Sequence, residues 1–497
     1  MAISKVKLKK ILFFLLLSAI FCLGLYIIRF SINRLPAGED DSHYLGAIRQ
    51  AVEFKKVNFK VVDLIAHPQN KLLLFYLLGK PWVLFQHQIS FMQYFNILYF
   101  ILYLGSFLSF YRLSLLSKAK FNQILALLFF SLMVSSTFWL GPRYFVPSLW
   151  LYIAIPNIIF CSFNKKYIES ILWVISTYFL YYFGLPVALL VFFVATTLFL
   201  VKPIWLRLII ITIIFLAFYN YGLGYAAEFI GGVKVQSVVE SSLIILYYFN
   251  LAFFVGVILS LSLSILYKQS IKWPEIFLSF VLFFIFYWIV QFFPRDTAAY
   301  RLIIMLQISI VLMLISLPDL FSKKNIHLFC FSLMITAAFS YFFIQLLIIN
   351  IEQNREDLQI VGVKSEEVSL FNYIDQACRS SKCLIISDPS TLLVGSYFSP
   401  VFGSFNPDYL KNALADPLSF SKQKDYDHIF LIVSKRTTVL FRYQPIQKIK
   451  GQFSRSYDNS QINPLMIYGS LIKYKDNIAY KNENLGLYAF DLKLLNQ

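Results

Sequence analysis

The sequence predicts an all-α polytopic membrane domain of about eleven transmembrane helices over residues 1–350, then a water-soluble, extracytoplasmic α/β domain over 351–497. Three observations carry that expectation. Hydrophobic residues make up 59% of the 497-residue chain and charged residues only 14%, with a mean hydropathy of +0.67. A soluble protein of this length has no core large enough to hide so much apolar surface. Apolar runs of about 20 residues, the length that crosses a hydrocarbon core roughly 30 Å thick, recur along the first 350 positions. Charge then divides the chain. Residues 1–350 hold 27 Lys+Arg against 11 Asp+Glu, whereas 351–497 hold 17 against 15. The basic excess therefore belongs to the membrane part, where it sets topology and meets anionic lipid, and nucleic acid is not a partner.

Taken in order, the chain opens with Lys5, Lys7, Lys9 and Lys10, followed by an apolar run from Ile11 to about Ile28. No small-residue cleavage site follows, so this is an uncleaved first span and not a signal peptide. Spans are predicted near 11–30, 91–111, 121–140, 146–163, 167–183, 185–201, 204–221, 242–267, 276–293, 302–317 and 327–350. With the N-terminus cytoplasmic, the inner loops hold Arg112, Lys118 and Lys120, then Lys165 and Lys166, then Lys202 and Arg207, then Lys268 and Lys272, then Lys323 and Lys324. The short outer loops at 141–145, 184 and 222–241 hold only Arg143 and Lys234 as basic residues. This is the positive-inside pattern of a multi-pass protein of the cell (inner) membrane. The 53 Phe and 32 Tyr suit lipid-facing helices with aromatic belts. The segment Lys71 to Gln86 is short and broken by Lys80-Pro81, and counting it as a span inverts every later loop. It reads instead as an interfacial helix on the outer surface. An odd number of spans leaves the C-terminal domain outside.

Beyond 351 the composition is that of a soluble domain. CLIIS (383–387) and HIFLIVS (428–434) read as buried strands, NLGLYAFDL (484–492) as a third, and Asp388-Pro389-Ser390-Thr391 as a turn entering a helix. Cys22, Cys161 and Cys330 fall in apolar spans and read as small hydrophobes. Cys378 and Cys383 flank a helix-to-strand turn; outside the cytoplasm a disulfide between them is the expectation, and no further ligands suggest a metal site.

Acids are scarce in the membrane part, so their positions are informative. Glu39, Asp40 and Asp41 are consecutive, just past the first span in the outer loop 31–90. The helix predicted over 41–54 places Tyr44 one turn beyond Asp40. A carboxylate at the membrane surface beside an apolar cavity is a candidate general base. The alternative, a helix N-cap, explains one acid but not three.

The stretch PAGEDDSHYLGAIRQA (36–51), then AHPQNKLLLFYLL (66–78), then a span from about 91, resembles the GT-C superfamily of membrane glycosyltransferases. It looks most like the protein O-mannosyltransferase and lipid A aminoarabinose transferase types. Those enzymes carry an acidic pair after the first span with a Tyr three residues past it, matched here by Asp40-Asp41 and Tyr44. A Pro-containing segment then leads into a surface helix, matched loosely by His67-Pro68 through Lys71. His67-Pro68-Gln69 departs from the usual Lys-Pro-Pro. The resemblance covers residues 1–350 as architecture and some forty residues as motif. It implies a GT-C-like catalytic domain that takes one sugar from a polyprenyl-phosphate donor at the outer face, with inversion. The acceptor would be an envelope glycan, lipid or protein. Asp40, with Asp41 beside it, matches the acid–base position, and Glu39, Tyr44, His67 and Lys71 flank it as substrate-binding candidates. Arg295 and Arg301, in QFFPRDTAAYR (291–301), match the family's arginine–tyrosine element before a late span. A guanidinium holds a phosphate bidentately and offsets its charge as it leaves. Interface anchoring is the competing role for both, and for Arg143 in GPRYFVP it is the stronger one.

No cofactor is implied with certainty. A divalent metal has no support, because His43 and His67 lack spaced partner ligands. Glu228 and Glu240 read as residues of a solvated loop. The rival functions are a transporter or flippase and a polymerase or ligase of lipid-linked glycans. A transporter calls for broken helices, midplane charges and internal repeats, which the sequence does not display.

Overall fold

The computed structural model describes residues 5–29, 79–133, 147–216, 273–292, 303–316 and 365–496, with isolated positions near 258–262 and 337–344; within these ranges single positions, short stretches and 434–440, 443–455 and 458–470 fall outside the described residues. The apolar runs fold as helices: α1 (Lys5–Arg29), a short α2 (Trp82–Phe85), α3 (Phe91–Ser114), α4 (Lys120–Met133), and a 3-10 turn at Pro147–Trp150 leading into α5 (Leu151–Phe163). After them come α6 (Tyr167–Leu180), α7 (Leu185–Leu200), α8 (Trp273–Phe292) and α9 (Ile303–Ser316).

Contacts fix the direction of each helix. Lys120 lies over the Phe13 ring and Ser131 sits beside Gly24, so α1 and α4 run parallel. Gly105 meets Ile153, Ser109 meets Asn157 and Arg112 meets Phe160, a constant offset that makes α3 and α5 parallel. The connections at 115–119, 164–166 and 181–184 are too short for anything but antiparallel neighbours. The α5–α6 turn closes with Lys166 N–H donating to Cys161 O (2.8 Å) and Lys165 N–H to Ser162 O (3.1 Å), while Lys165 adopts φ 59°. This is a Schellman closure with lysine where glycine is usual. Ser279 and Ser309 bond each other (2.9 Å), which joins α8 to α9 at that level.

The bundle is apolar both in its core and over much of its outward face. Its core contains Tyr103, Phe110, Phe129, Phe130 and Tyr152, yet serines, asparagine and glutamine are buried with them, bonded across helices: Asn157 to Ser109, Ser162 to Ser170, Ser279 to Ser309. The outward faces are apolar. On α1 the buried stripe is Leu17, Ile20 and Gly24, whereas Ile11, Leu12, Phe14 and Leu15 are exposed. On α6 the exposed stripe is Ile168, Ile171, Leu172, Ile175 and Phe179, with Ile168 79% exposed. Among the described residues one helix, Gln93–Ser114, is long and apolar enough to cross a membrane; the other apolar helices contribute shorter apolar stretches of 10–17 residues.

The C-terminal unit has its own cores. A four-stranded sheet runs in the order β1 (Cys383–Ile386), β2 (His428–Val433), β6 (Leu487–Asp491), β5 (Ile478–Asn482). β1 and β2 are parallel, and the other neighbours antiparallel. A separate two-stranded ribbon pairs β3 (Phe441–Arg442) with β4 (Ser456–Tyr457). α10 (Ser365–Ala377) and α11 (Pro389–Phe398) pack on one face of the large sheet around Leu370, Phe371, Ile374 and Val394. α12 (Pro407–Ala415) and α13 (Pro417–Lys422) cover the other through Ala413 and Phe420. Asp416 caps α13, its Oδ1 accepting from Ser419 N–H (3.1 Å) ahead of Pro417. β1, β2 and β6 fall where the buried runs predicted them. β5, the β3–β4 ribbon and the helices α10, α12 and α13 carry weaker patterns and are additions from the structure.

Candidate functional site

The geometry bearing on a site begins with where the loops leave the bundle. Gly24 of α1, Tyr103 of α3 and Ser131 of α4 meet at one level, and Tyr152 of α5 faces Gln307 of α9. The α3–α5 offset puts Leu151 near the level of Tyr103, and Leu151 also touches the Gly184 position between α6 and α7. From this level α1 runs on to Arg29 and α4 to Met133, while α5 and α9 begin. The helix ends bracketing 30–78, 134–146 and 293–302 therefore share one end of the bundle.

Those three stretches contain the residues the sequence singles out. Glu39, Asp40, Asp41, Tyr44, His67 and Lys71 lie in the first, Arg143 in the second, and Arg295 and Arg301 in the third. All of them are outside the described residues, so their role rests on sequence. Of the segment 71–86, the described part is a turn at Lys80-Pro81 and the helix α2. Trp82 is buried and its indole N–H donates to Ile89 O (3.4 Å), while Leu84, 78% exposed, and Phe85 point outward.

The opposite end carries the cations. The first turns of α1 with Lys5 to Lys10, the Arg112–Lys120 turn, Lys165 and Lys166, and Lys202 and Arg207 all gather there. Of the described charged residues in the bundle, Arg29 and Lys80 belong to the loop-bearing end. Arg112 is not in a loop as the sequence suggests, but in the last turn of α3. There it pairs with Glu169 of α6 (2.5 Å), donates to Asn157 Oδ1 (3.0 Å) and lies over the Phe160 ring (4.7 Å).

No family model matches the chain, and no curated protein matches it in sequence.

Among the described residues no group of three His, Cys, Asp or Glu side chains is arranged to hold a metal ion. The C-terminal unit does bring reactive groups together. Cys378 and Cys383 are joined by a disulfide with Cα atoms 5.6 Å apart. His428 Nδ1 lies 2.6 Å from Asp491 Oδ2, and that carboxylate is 2% exposed. Sequence reading missed the His428–Asp491 pair. Its signal was a lone polar residue at the end of each of two otherwise apolar strands, HIFLIV and LYAFD.

Proposed function

We propose that the chain is a multi-pass membrane glycosyltransferase that moves a sugar from a polyprenyl-phosphate donor to an envelope glycan, lipid or protein acceptor. The observation that carries this reading is the run Glu39-Asp40-Asp41, followed by Tyr44, directly after the first helix of a bundle otherwise poor in acid. Three further features support it. The outward faces of the helices are apolar, as lipid contact requires. Buried serine and asparagine pairs join the helices where small polar residues serve as glue. The cations gather at the end opposite the one from which the acid-bearing loop departs, which supports an outer-face position for that loop.

In this mechanism Asp40 accepts the proton of the acceptor hydroxyl as its oxygen attacks the anomeric carbon. The bond to the phosphate oxygen breaks on the opposite face, so the configuration inverts. Arg295 and Arg301 take up the charge developing on the departing polyprenyl phosphate. The test is a transfer assay in membranes with a panel of polyprenyl-phosphate sugars. Asp40→Asn retains shape but accepts no proton at neutral pH, so transfer is expected to fall by roughly a hundredfold or more. Asp41→Asn is expected to do less, costing on the order of 1 kcal/mol of local stability if that residue caps the helix. Full transfer by both variants would remove the main support for the enzyme and favour a transporter of the lipid-linked sugar.

A further inference from the structure

The reactive side chains of the C-terminal unit meet at one corner of its sheet. Cys383 opens β1, His428 opens β2, and the two are register partners. Register partners on adjacent strands carry their side chains on the same face, so the imidazole and the disulfide share a face. His428 also lies flat against Phe430, with ring centroids 5.7 Å apart, and Phe430 belongs to the core that includes Cys378 and packs against Cys383.

Asp491 fixes the imidazole. Its Oδ2 is bonded to Nδ1, and its Oδ1 accepts from Ile429 N–H (3.2 Å) and Lys493 N–H (3.1 Å). A carboxylate so held accepts the Nδ1 proton and leaves Nε2 as the nitrogen that exchanges protons with other groups. The two sulfurs differ in access: Cys383 is half-buried, whereas Cys378 is buried. The loop between them, Arg379-Ser380-Ser381-Lys382, is exposed, and its two cations pair with Asp375 (3.2 Å) and Asp425 (3.1 Å), so the loop leaves the Cys383 side open to a small thiol.

We propose that Cys378–Cys383 is a thiol–disulfide exchange site for a small thiol, with His428 as proton donor and Asp491 as its positioning residue. The incoming thiol, ionised by loss of its proton to solvent, attacks Sγ of Cys383. The Cys378–Cys383 bond breaks and Cys378 leaves with the electron pair. It does so just past the C-terminal end of α10, where the helix carbonyls disfavour negative charge. When protonated on both nitrogens, His428 gives its Nε2 proton to that sulfur, its Nδ1–H still bonded to Asp491. A second thiolate attacks the external sulfur of the mixed disulfide and releases Cys383. In sum, two thiols are oxidised to one disulfide while Cys378 and Cys383 are reduced.

The test treats the full chain in detergent with reduced glutathione at neutral pH and follows the mixed disulfide by peptide mass. The adduct should form on Cys383. In His428→Gln, which keeps a donor facing Asp491, its rate of formation should fall about a hundredfold, the low end of what a positioned proton donor supplies. An unchanged melting temperature assigns that loss to chemistry. If His428→Gln melts lower, His428→Ala decides: restoration of the rate by added imidazole supports the proton-donor role, and failure to restore it overturns it. An adduct on Cys378, or an unchanged rate in His428→Gln, also overturns the proposal.

Discussion

Gly24 shows how closely the helices approach at the level where the loops begin. A Cβ built there would stand 1.9 Å from the Tyr103 hydroxyl and 2.9 Å from its Cζ, and 3.2 Å from Ser131 Cβ. Tyr103 cannot swing aside. It is fully buried, stacks on Phe21 and Phe130, and donates to Phe21 O (3.3 Å). Gly24→Ala is therefore expected to destabilise the bundle by about 1–3 kcal/mol, the usual range for overpacking. Tyr103→Phe removes the atom that clashes first, so the double variant should regain part of the loss. Thermal melts of the two single variants and the double variant in detergent check this; strictly additive losses would mean that the two side chains do not compete for that space.

At the scale of elements, one buried asparagine ties helices together at the cation-bearing end of the bundle. Asn157 accepts from Arg112 of α3 and donates to Ser109 Oγ (2.8 Å) and Ile153 O (2.8 Å); through Arg112 it reaches Glu169 of α6. Asn157→Ala removes the two cross-helix bonds to Ser109 and Arg112, while Ser109 keeps its bond to Gly105 O (2.8 Å); at about 0.5–1.5 kcal/mol net per bond the loss should be about 1–3 kcal/mol. Asn157→Asp keeps an acceptor for Arg112 and should cost less; equal melting temperatures for Asn157→Ala and the wild type would refute the linking role. Nothing in the sequence announces this contact. Runs of apolar residues mark where helices lie, because about 20 such residues in a row have few other uses. Asn157 and Arg112, 45 positions apart, become neighbours only through the parallel packing of α3 and α5. The same holds for His428 and Asp491, 63 positions apart, joined by the antiparallel pairing of β2 with β6. The buried strands were legible because Cys383–Ile386, His428–Val433 and Leu487–Asp491 are apolar runs. β5 was not, because Ile478–Asn482 borders the sheet and mixes Lys and Asn with apolar residues. Of the proposed transfer site, what is legible is the acid run itself; the distances among Asp40, Arg295 and Arg301 depend on folding that no local pattern encodes.

At the scale of the whole molecule, the question is which face of the membrane the acids occupy. The described helices alternate in direction, and their cations gather at one end: Arg112, Lys118 and Lys120 beside Lys165, Lys166, Lys202 and Arg207. Basic residues in short loops stay on the cytoplasmic side during insertion, so in the proposed membrane arrangement the opposite end, where 30–78 and 293–302 leave the bundle, faces outward. With the eleven spans expected from sequence, the chain in that same proposal is outside before residue 351. Two measurements test this independently. A maleimide that does not cross membranes should label Lys118→Cys and Lys165→Cys only after permeabilisation. A reporter fused at about residue 360 should give the outside signal. Labelling of the lysine positions in intact cells would invert the whole molecule, moving Asp40 into the cytosol and removing the outer-face mechanism. Protected lysine positions combined with a cytoplasmic signal at residue 360 would instead mean an even number of spans. That outcome keeps Asp40 outside, relocates the disulfide and His428 to the reducing compartment, and localises the error to the stretch between 166 and 350.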